Sequence, residues 1–342
     1  MARTLDILQS ALSAFPRVTL LDGPTPIQKL SRLSAMPALK GCNLYVKRDD
    51  LMGLGGGGNK LRKLEFLLGQ ALAQDADTLI TWGGAQSNNA RLTAAVAARH
   101  ELHCVLILSP SQVRGDDDYQ LNGNVLLNDL FGATVQPLPA GATPATHARE
   151  LAEQLRRQGR KPFLMPLGGS SPVGCLGYAA GAAELLAQSH AFGVEFDQIV
   201  VPNGSSGTHA GLLAGLVVAA SPIRVKGYSV LGTAEQSREA TLEKTRQVLE
   251  LLDSDADLPR NAIHIDDSQR GASYGAPTQA MQAATRTLAT REGLLVDPVY
   301  GGKALAGLLQ SVADGEHSPG SNILFIMTGG IPGIFAYRTA YG

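Results

Sequence analysis

Cysteine is scarce in this chain of 342 residues, which has only Cys42, Cys104 and Cys175. They are odd in number, far apart and without CxxC spacing, which excludes a disulfide framework and a structural zinc site and fits a reducing compartment. Charge is thin too, with 17% charged residues and a formal net charge of -1. That balance builds no basic face, so nucleic acid is not an expected partner. Aromatic residues are few, and no stretch approaches the run of about eighteen apolar residues that a membrane helix needs. Residues Met1 to Pro16 carry an early acidic residue and no continuous apolar run, so no secretory leader is expected. The expectation is a cytoplasmic chain with no membrane or metal requirement.

What is present is a 44% hydrophobic complement, ample for a real core, and 39 glycines. Many of the glycines follow apolar runs, as tight strand-to-helix turns would require. Leu44–Lys47 precedes the run Gly53 to Gly58, and Leu61, Leu64, Phe66, Leu67 and Leu68 follow at near-helical spacing. Thr78–Trp82 leads to Gly83 and Gly84 and then an alanine-rich stretch from Arg91 to Arg99. Cys104–Leu108 and Phe163–Leu167 read as buried strands. Gln198–Val201 leads into Gly204 to Gly207 and an apolar helix from Ala210 to Ala220, and Val225–Val230 and Ile323–Met327 complete the series. Wholly apolar strands alternating with helices predict a doubly wound α/β fold with parallel sheets covered on both faces. Ligands in such folds sit beyond the carboxyl ends of the strands. The polar stretches Arg114–Asp118 and Asp253–Pro259 read as surface loops.

Two glycine-rich stretches carry chemistry. In Gly55-Gly56-Gly57-Gly58-Asn59-Lys60, the backbone can pass close to a flat group, and Lys60 opens a helix. A lysine at a helix start beside a desolvated pocket loses preference for its ammonium form, which is what an amine needs to attack an aldehyde. By charge pattern alone, Lys60, Arg62 and Lys63 read more readily as a solvated helix face. Gly53, Gly55 and Gly58 also satisfy G-x-G-x-x-G. The acidic residue wanted roughly 20 positions on, however, would be Asp75 or Asp77, ahead of the next strand and not at its end. In the second stretch, Asn203-Gly204-Ser205-Ser206-Gly207-Thr208, successive amides at a helix start form an anion nest. Without the GK[ST] ending of a P-loop, a single phosphate monoester is its natural guest. Taken alone it is also an ordinary capped turn.

These residues resemble those of fold-type II pyridoxal-phosphate enzymes, in the branch of D-cysteine desulfhydrase, L-cysteate sulfo-lyase and 1-aminocyclopropane-1-carboxylate deaminase. The resemblance runs over nearly the whole chain. It rests on Thr25-Pro26-Ile27, Val46 to Asp50, Gly57 to Glu65, Gln86-Ser87-Asn88, Gly204 to Gly211, Asp297-Pro298-Val299-Tyr300 and Thr328-Gly329-Gly330. It implies pyridoxal 5'-phosphate as cofactor, held on Lys60 as a Schiff base, with the phosphate on Gly204, Ser205, Ser206, Gly207 and Thr208. It implies that Asn88 meets the ring phenolate, that Thr328 meets the pyridine nitrogen, and that Ser87, Tyr274 and Tyr300 face the substrate beside Lys60. Gln86, Ser87, Asn88 and Asn89 would form the substrate-binding turn.

It further implies a tryptophan-synthase-β-like, two-domain fold. A small domain of residues 52–168 would carry Lys60, and a large domain of 1–51 and 169–342 would carry the phosphate loop. A homodimer and a small amino-acid substrate are also implied. The expected reaction is α,β-elimination from D-cysteine, with L-cysteate sulfo-lyase and the deaminase as alternatives and a non-catalytic pyridoxal-phosphate or amino-acid binding protein as another. Two departures bear on the substrate: Asn89 stands where desulfhydrase-like members have histidine, and Gly301 follows Tyr300 where the deaminases have glutamate.

Overall fold

The computed structural model describes residues 2–110, 114–139 and 141–341. Ten strands form two sheets. They are β1 Ile27–Lys29, β2 Asn43–Lys47, β3 Thr78–Gly84, β4 His103–Ser109, β5 Thr134–Pro137, β6 Pro162–Met165, β7 Gln198–Asn203, β8 Arg224–Ser229, β9 His264–Asp266 and β10 Asn322–Ile326. The larger sheet has the order β1-β2-β10-β7-β8-β9, drawing strands from both ends of the chain, and the smaller has the order β5-β4-β3-β6. All neighbours are parallel except β1, which pairs antiparallel with β2 at the sheet edge. The expectation of wholly parallel sheets is corrected at that edge. The thirteen residues between the two strands, 30–42, hold only the helix Ser31–Ser34 and a single turn at Pro37–Leu39, and bring the chain back antiparallel to β1.

The apolar strands behave as read: Ile199, Val200 and Val201 of β7 and Ile323 to Ile326 of β10 are all essentially inaccessible. The site lies beyond the carboxyl ends of β2, β3, β7 and β10, where the loops carrying Lys60, Ser87, Gly204 and Thr328 emerge. The helix Pro172–Phe192 packs against both the Lys60–Ala73 helix and the Gly207–Val218 helix. Glycine permits that intimacy. A Cβ on Gly177 would stand 2.0 Å from the Arg62 carbonyl oxygen, and one on Gly211 would stand 2.2 Å from that of Cys175.

The Lys60–Ala73 helix is also pinned by charge. Arg62 donates through Nη2 and Nε to both carboxylate oxygens of Asp49, at 2.8 and 3.0 Å, and through Nη1 to Glu184 at 2.9 Å. Tyr178 donates to Asp49 at 2.7 Å, and Lys47 donates to Glu184 at 2.5 Å. Arg114–Asp118 is not the simple loop its polarity suggests. Asp116 caps the helix Asp117–Leu121, and the Arg114 guanidinium bonds Asp116 and stacks over the Tyr337 ring at 4.8 Å.

Candidate active site

Lys60, Ser87, Asn88, Asn89, Gly204, Ser205, Ser206, Thr208, Tyr274, Tyr300 and Thr328 all border one cavity of about 510 Å³. Gln86 and Gly207 do not. The four glycines before Asn59 have φ of 63, 78, 81 and 127°, a region that side chains resist, and this is why the run is glycine. Arg91, fully buried on the Asn88–Arg99 helix, clamps the run by donating to the carbonyls of Gly55 and Gly57. Asn59 is held by its amide on the Thr328 carbonyl at 3.0 Å.

Lys60 reaches the cavity half-buried and makes no hydrogen bond among the described residues. Desolvation lowers its ammonium pKa to about 8, against the opposing pull of the Asp297 carboxylate. Asp297 is itself raised to about 6 by burial, although its oxygens accept from the amides of Val299, Tyr300 and Gly301 at 3.0, 2.9 and 2.7 Å. Those three bonds set the start of the helix Gly301–Ala313 and the placement of Tyr300. The Tyr300 and Tyr274 hydroxyls stand 2.5 Å apart, their rings edge to face at 6.1 Å. Burial raises both phenols well above the usual tyrosine range, so each keeps its proton at neutral pH.

The turn after β7 forms the anion cradle. Ser206, at φ 66°, turns its hydroxyl inward to donate to Asn203 Oδ1 at 3.2 Å, so it offers the cavity its amide and not its hydroxyl proton. Thr208 Oγ1 accepts from Asn59 Nδ2 at 3.2 Å, which leaves its own proton free. A Cβ on Gly204 would meet the Tyr300 ring at 3.0 Å, so this backbone must be bare. Beneath the cradle, Lys63 donates to Ser170 Oγ at 2.8 Å, and that oxygen lies 2.7 Å from Ser205 Oγ. Gly207 packs on this layer; a Cβ there would stand 2.4 Å from Ser170 Oγ.

Opposite, Ser87 caps the Asn88–Arg99 helix by accepting from the Ala90 amide at 3.2 Å, and its own proton remains available. Gln86 points away: its amide nitrogen donates to the carbonyls of Tyr119 and Asn122, and its oxygen accepts from the Asn124 amide. Asn89 borders the cavity, but its Nδ2 donates to Thr81 Oγ1 at 3.1 Å and its Oδ1 is buried without a partner. Of the residues expected to bind substrate, Gln86 does not border the cavity and supports the turn from behind, whereas Asn89 borders it while bonded to β3. Sequence reasoning missed Tyr119 on the cavity wall, and Lys63, Asp297 and Asn124 behind it. Asp297 lay inside a quoted motif, and Lys63 two residues from the end of one.

With one free amine of lowered proton affinity, a single-phosphate cradle and a donor-lined wall, the cavity has the parts of a site for an aldehyde cofactor bearing a phosphate. The family of pyridoxal-phosphate dependent enzymes matches residues 18–329, and the chain belongs to it. Within it, the chain is 43% identical over 334 residues to the D-cysteine desulfhydrase of Serratia proteamaculans, covering 97% of this chain and 98% of that one. It is 43% identical over 333 residues to the D-cysteine desulfhydrase of Yersinia pestis, with the same coverage. A solved structure described as an ACC deaminase homologue superposes with a TM-score of 0.88 at 40% identity, covering 98% of both chains. O-ureido-L-serine synthase shares the fold at a TM-score of 0.64 and 20% identity, over 95% of this chain and 92% of that one. The residues fit pyridoxal phosphate: the bare Gly204 backbone and the free Thr208 proton suit its phosphate, and Lys60 suits its aldehyde.

Proposed function

We propose that the chain is a pyridoxal-phosphate-dependent lyase that converts D-cysteine and water to pyruvate, ammonia and sulfide. The observation that carries this reading beyond the family is the cavity's charge: among the described lining residues Lys60 is the one cation. A thiol-bearing substrate needs no second cation at its β-carbon. A sulfonate does, so L-cysteate is the weaker alternative. The 43% identity to desulfhydrases points the same way. The deaminase alternative is disfavoured at Gly301, where a Cβ would already stand 3.1 Å from Val296 Cβ and 3.2 Å from Asp297 Oδ1.

Pyridoxal phosphate, when bound, supplies the electron sink that acidifies the α-hydrogen of an amino acid. The cradle amides and the Thr208 hydroxyl would hold its phosphate, Asn88 its phenolate oxygen, and Thr328 its ring nitrogen. A hydroxyl at that nitrogen, in place of a carboxylate, favours rapid loss of a β-substituent. Ser87 and the neighbouring helix amides take the substrate carboxylate. Lys60 Nζ, the amine bordering the cavity, would take the α-proton. The paired tyrosine hydroxyls stand ready to give a proton to the departing sulfur.

The two sheets support a division of the chain near residues 52–168, since all strands of the smaller sheet fall within 78–165. A homodimer is supported by exposed Leu121, Leu126, Leu130 and Phe335 on three short helices that pack on one another. A cytoplasmic location is supported by three buried free cysteines. No helix among the described residues is long and apolar enough to cross a membrane.

The test offers purified protein with pyridoxal phosphate three substrates separately: D-cysteine, L-cysteate and aminocyclopropane carboxylate. Pyruvate and sulfide from D-cysteine are expected. Turnover of L-cysteate alone, or 2-oxobutyrate from the cyclic substrate alone, would replace this reading with an alternative. A visible cofactor band without any turnover would leave a binding protein.

A further inference from the structure

Asn124, on the helix Asn124–Leu130, is fully buried and borders no part of the cavity. Its Nδ2 lies 2.9 Å from the Gln86 carbonyl oxygen and 2.8 Å from Asn88 Oδ1. A backbone carbonyl can only accept, so the atom facing it must be the amide nitrogen, and both hydrogens of that nitrogen are then committed. The Asn88 atom facing Asn124 must therefore be an oxygen. Asn88 is left with its Nδ2 on the other side, where a Cβ on Gly330 would stand 2.7 Å away. A second set of bonds keeps Asn124 in place. Its backbone amide donates to Gln86 Oε1 at 2.8 Å, and Gln86 Nε2 is held by the carbonyls of Tyr119 and Asn122 at 2.6 and 2.9 Å. The chain of constraint runs from two backbone carbonyls through Gln86 and Asn124 to the amide of Asn88.

We infer that Asn124 is a positioning residue that fixes the Asn88 amide with its N–H donors turned to the cavity, so that a phenolate oxygen there meets a donor already oriented. An unconstrained asparagine would present either end, and the acceptor end repels an anionic oxygen. This rests on the reading of Asn88 as a cofactor-holding residue. It also gives Gln86, whose side chain avoids the cavity, a function in the same turn.

The test titrates pyridoxal phosphate into cofactor-free protein by visible absorbance, for Asn88→Ala, Asn124→Asp and the double variant. Aspartate in place of Asn124 has only acceptors, so it turns Asn88 Nδ2 toward itself and its oxygen toward the cavity. Affinity is expected to fall about tenfold for Asn124→Asp. The pH midpoint of the cofactor's visible band should move with it. The double variant should match Asn88→Ala, because Asn124 acts only through Asn88. Additive losses, or an unshifted band in Asn124→Asp, would overturn the role. If Asn88→Ala itself leaves affinity and spectrum unchanged, the assignment of Asn88 fails instead. Should Asn124→Asp fail to fold, Asn124→Ser, which keeps one donor and releases Asn88, replaces it with the same expected outcomes.

Discussion

Two cations two residues apart on one helix live in opposite conditions. Arg62 is saturated: Asp49 takes it bidentately, Glu184 and Thr25 take the rest, and these partners raise its pKa well above the usual arginine value despite burial. Lys60 has no hydrogen bond among the described residues, and burial lowers its pKa. The Arg62 network ties the Lys60–Ala73 helix to the turn just after β2 and to the helix Pro172–Phe192. The site thus has a rigid base on which one unsatisfied amine is kept, and the energetic cost of that amine is met where it is needed for chemistry.

The same replacement at the two positions should therefore have opposite effects on stability. Arg62→Met strands the fully buried Asp49 carboxylate and should lower the unfolding free energy by about 3–5 kcal/mol, read from denaturant unfolding of cofactor-free protein. Lys60→Met removes a desolvated cation that no hydrogen bond holds among the described residues, and should leave stability unchanged or raise it by about 1 kcal/mol, while turnover falls by about a thousandfold or more. Equal destabilisation at both positions would break the comparison. It would mean that Lys60 holds the fold as Arg62 does.

A second contrast lies inside the phosphate turn. Ser206 gives its proton to Asn203, whereas Thr208 keeps its proton free. Thr208→Val should weaken pyridoxal phosphate binding about tenfold. Ser206→Gly, which suits φ 66°, should leave it within about twofold, whereas Ser206→Ala puts a side chain into a strained backbone. Equal losses for Thr208→Val and Ser206→Gly in the same titration would show that both hydroxyls bind the phosphate.

Much of this arrangement was legible in the residues. The seven strands read from apolar runs are present because burial on both faces demands continuous apolar sequence. The three that escaped, β1, β5 and β9, are three or four residues long and largely solvent-facing, so they carry no such run. The Lys60 turn and the anion nest were visible as chemistry, but each had an innocent alternative. It was the resemblance over the whole chain that joined them to Asn88, Tyr274, Tyr300 and Thr328 as one expected site. What sequence could not give was direction. That Gln86 turns away, that Asn89 bonds Thr81 and that Asn124 orients Asn88 depend on partners far off in the chain or on another element.

The smallest expected effect sharpens the comparison most. With a proton affinity near pH 8, Lys60 is about one-tenth neutral amine at pH 7. The neutral amine is the species that reacts, so the rate of cofactor uptake should rise with pH through about 8 and then level. The Asp297 carboxylate favours the ammonium form, so Asp297→Asn should depress the Lys60 pKa further and move that midpoint to lower pH. The amide keeps one acceptor oxygen but cannot satisfy all three amides at Val299, Tyr300 and Gly301, and turnover should fall through displacement of Tyr300. Following uptake by visible absorbance separates the two consequences, because the midpoint reports the charge near Lys60 whatever becomes of Tyr300. A midpoint that stays in place while turnover falls would assign Asp297 to placement of the tyrosine alone. A midpoint that moves up would mean that the carboxylate does not act on Lys60 as an attracting charge.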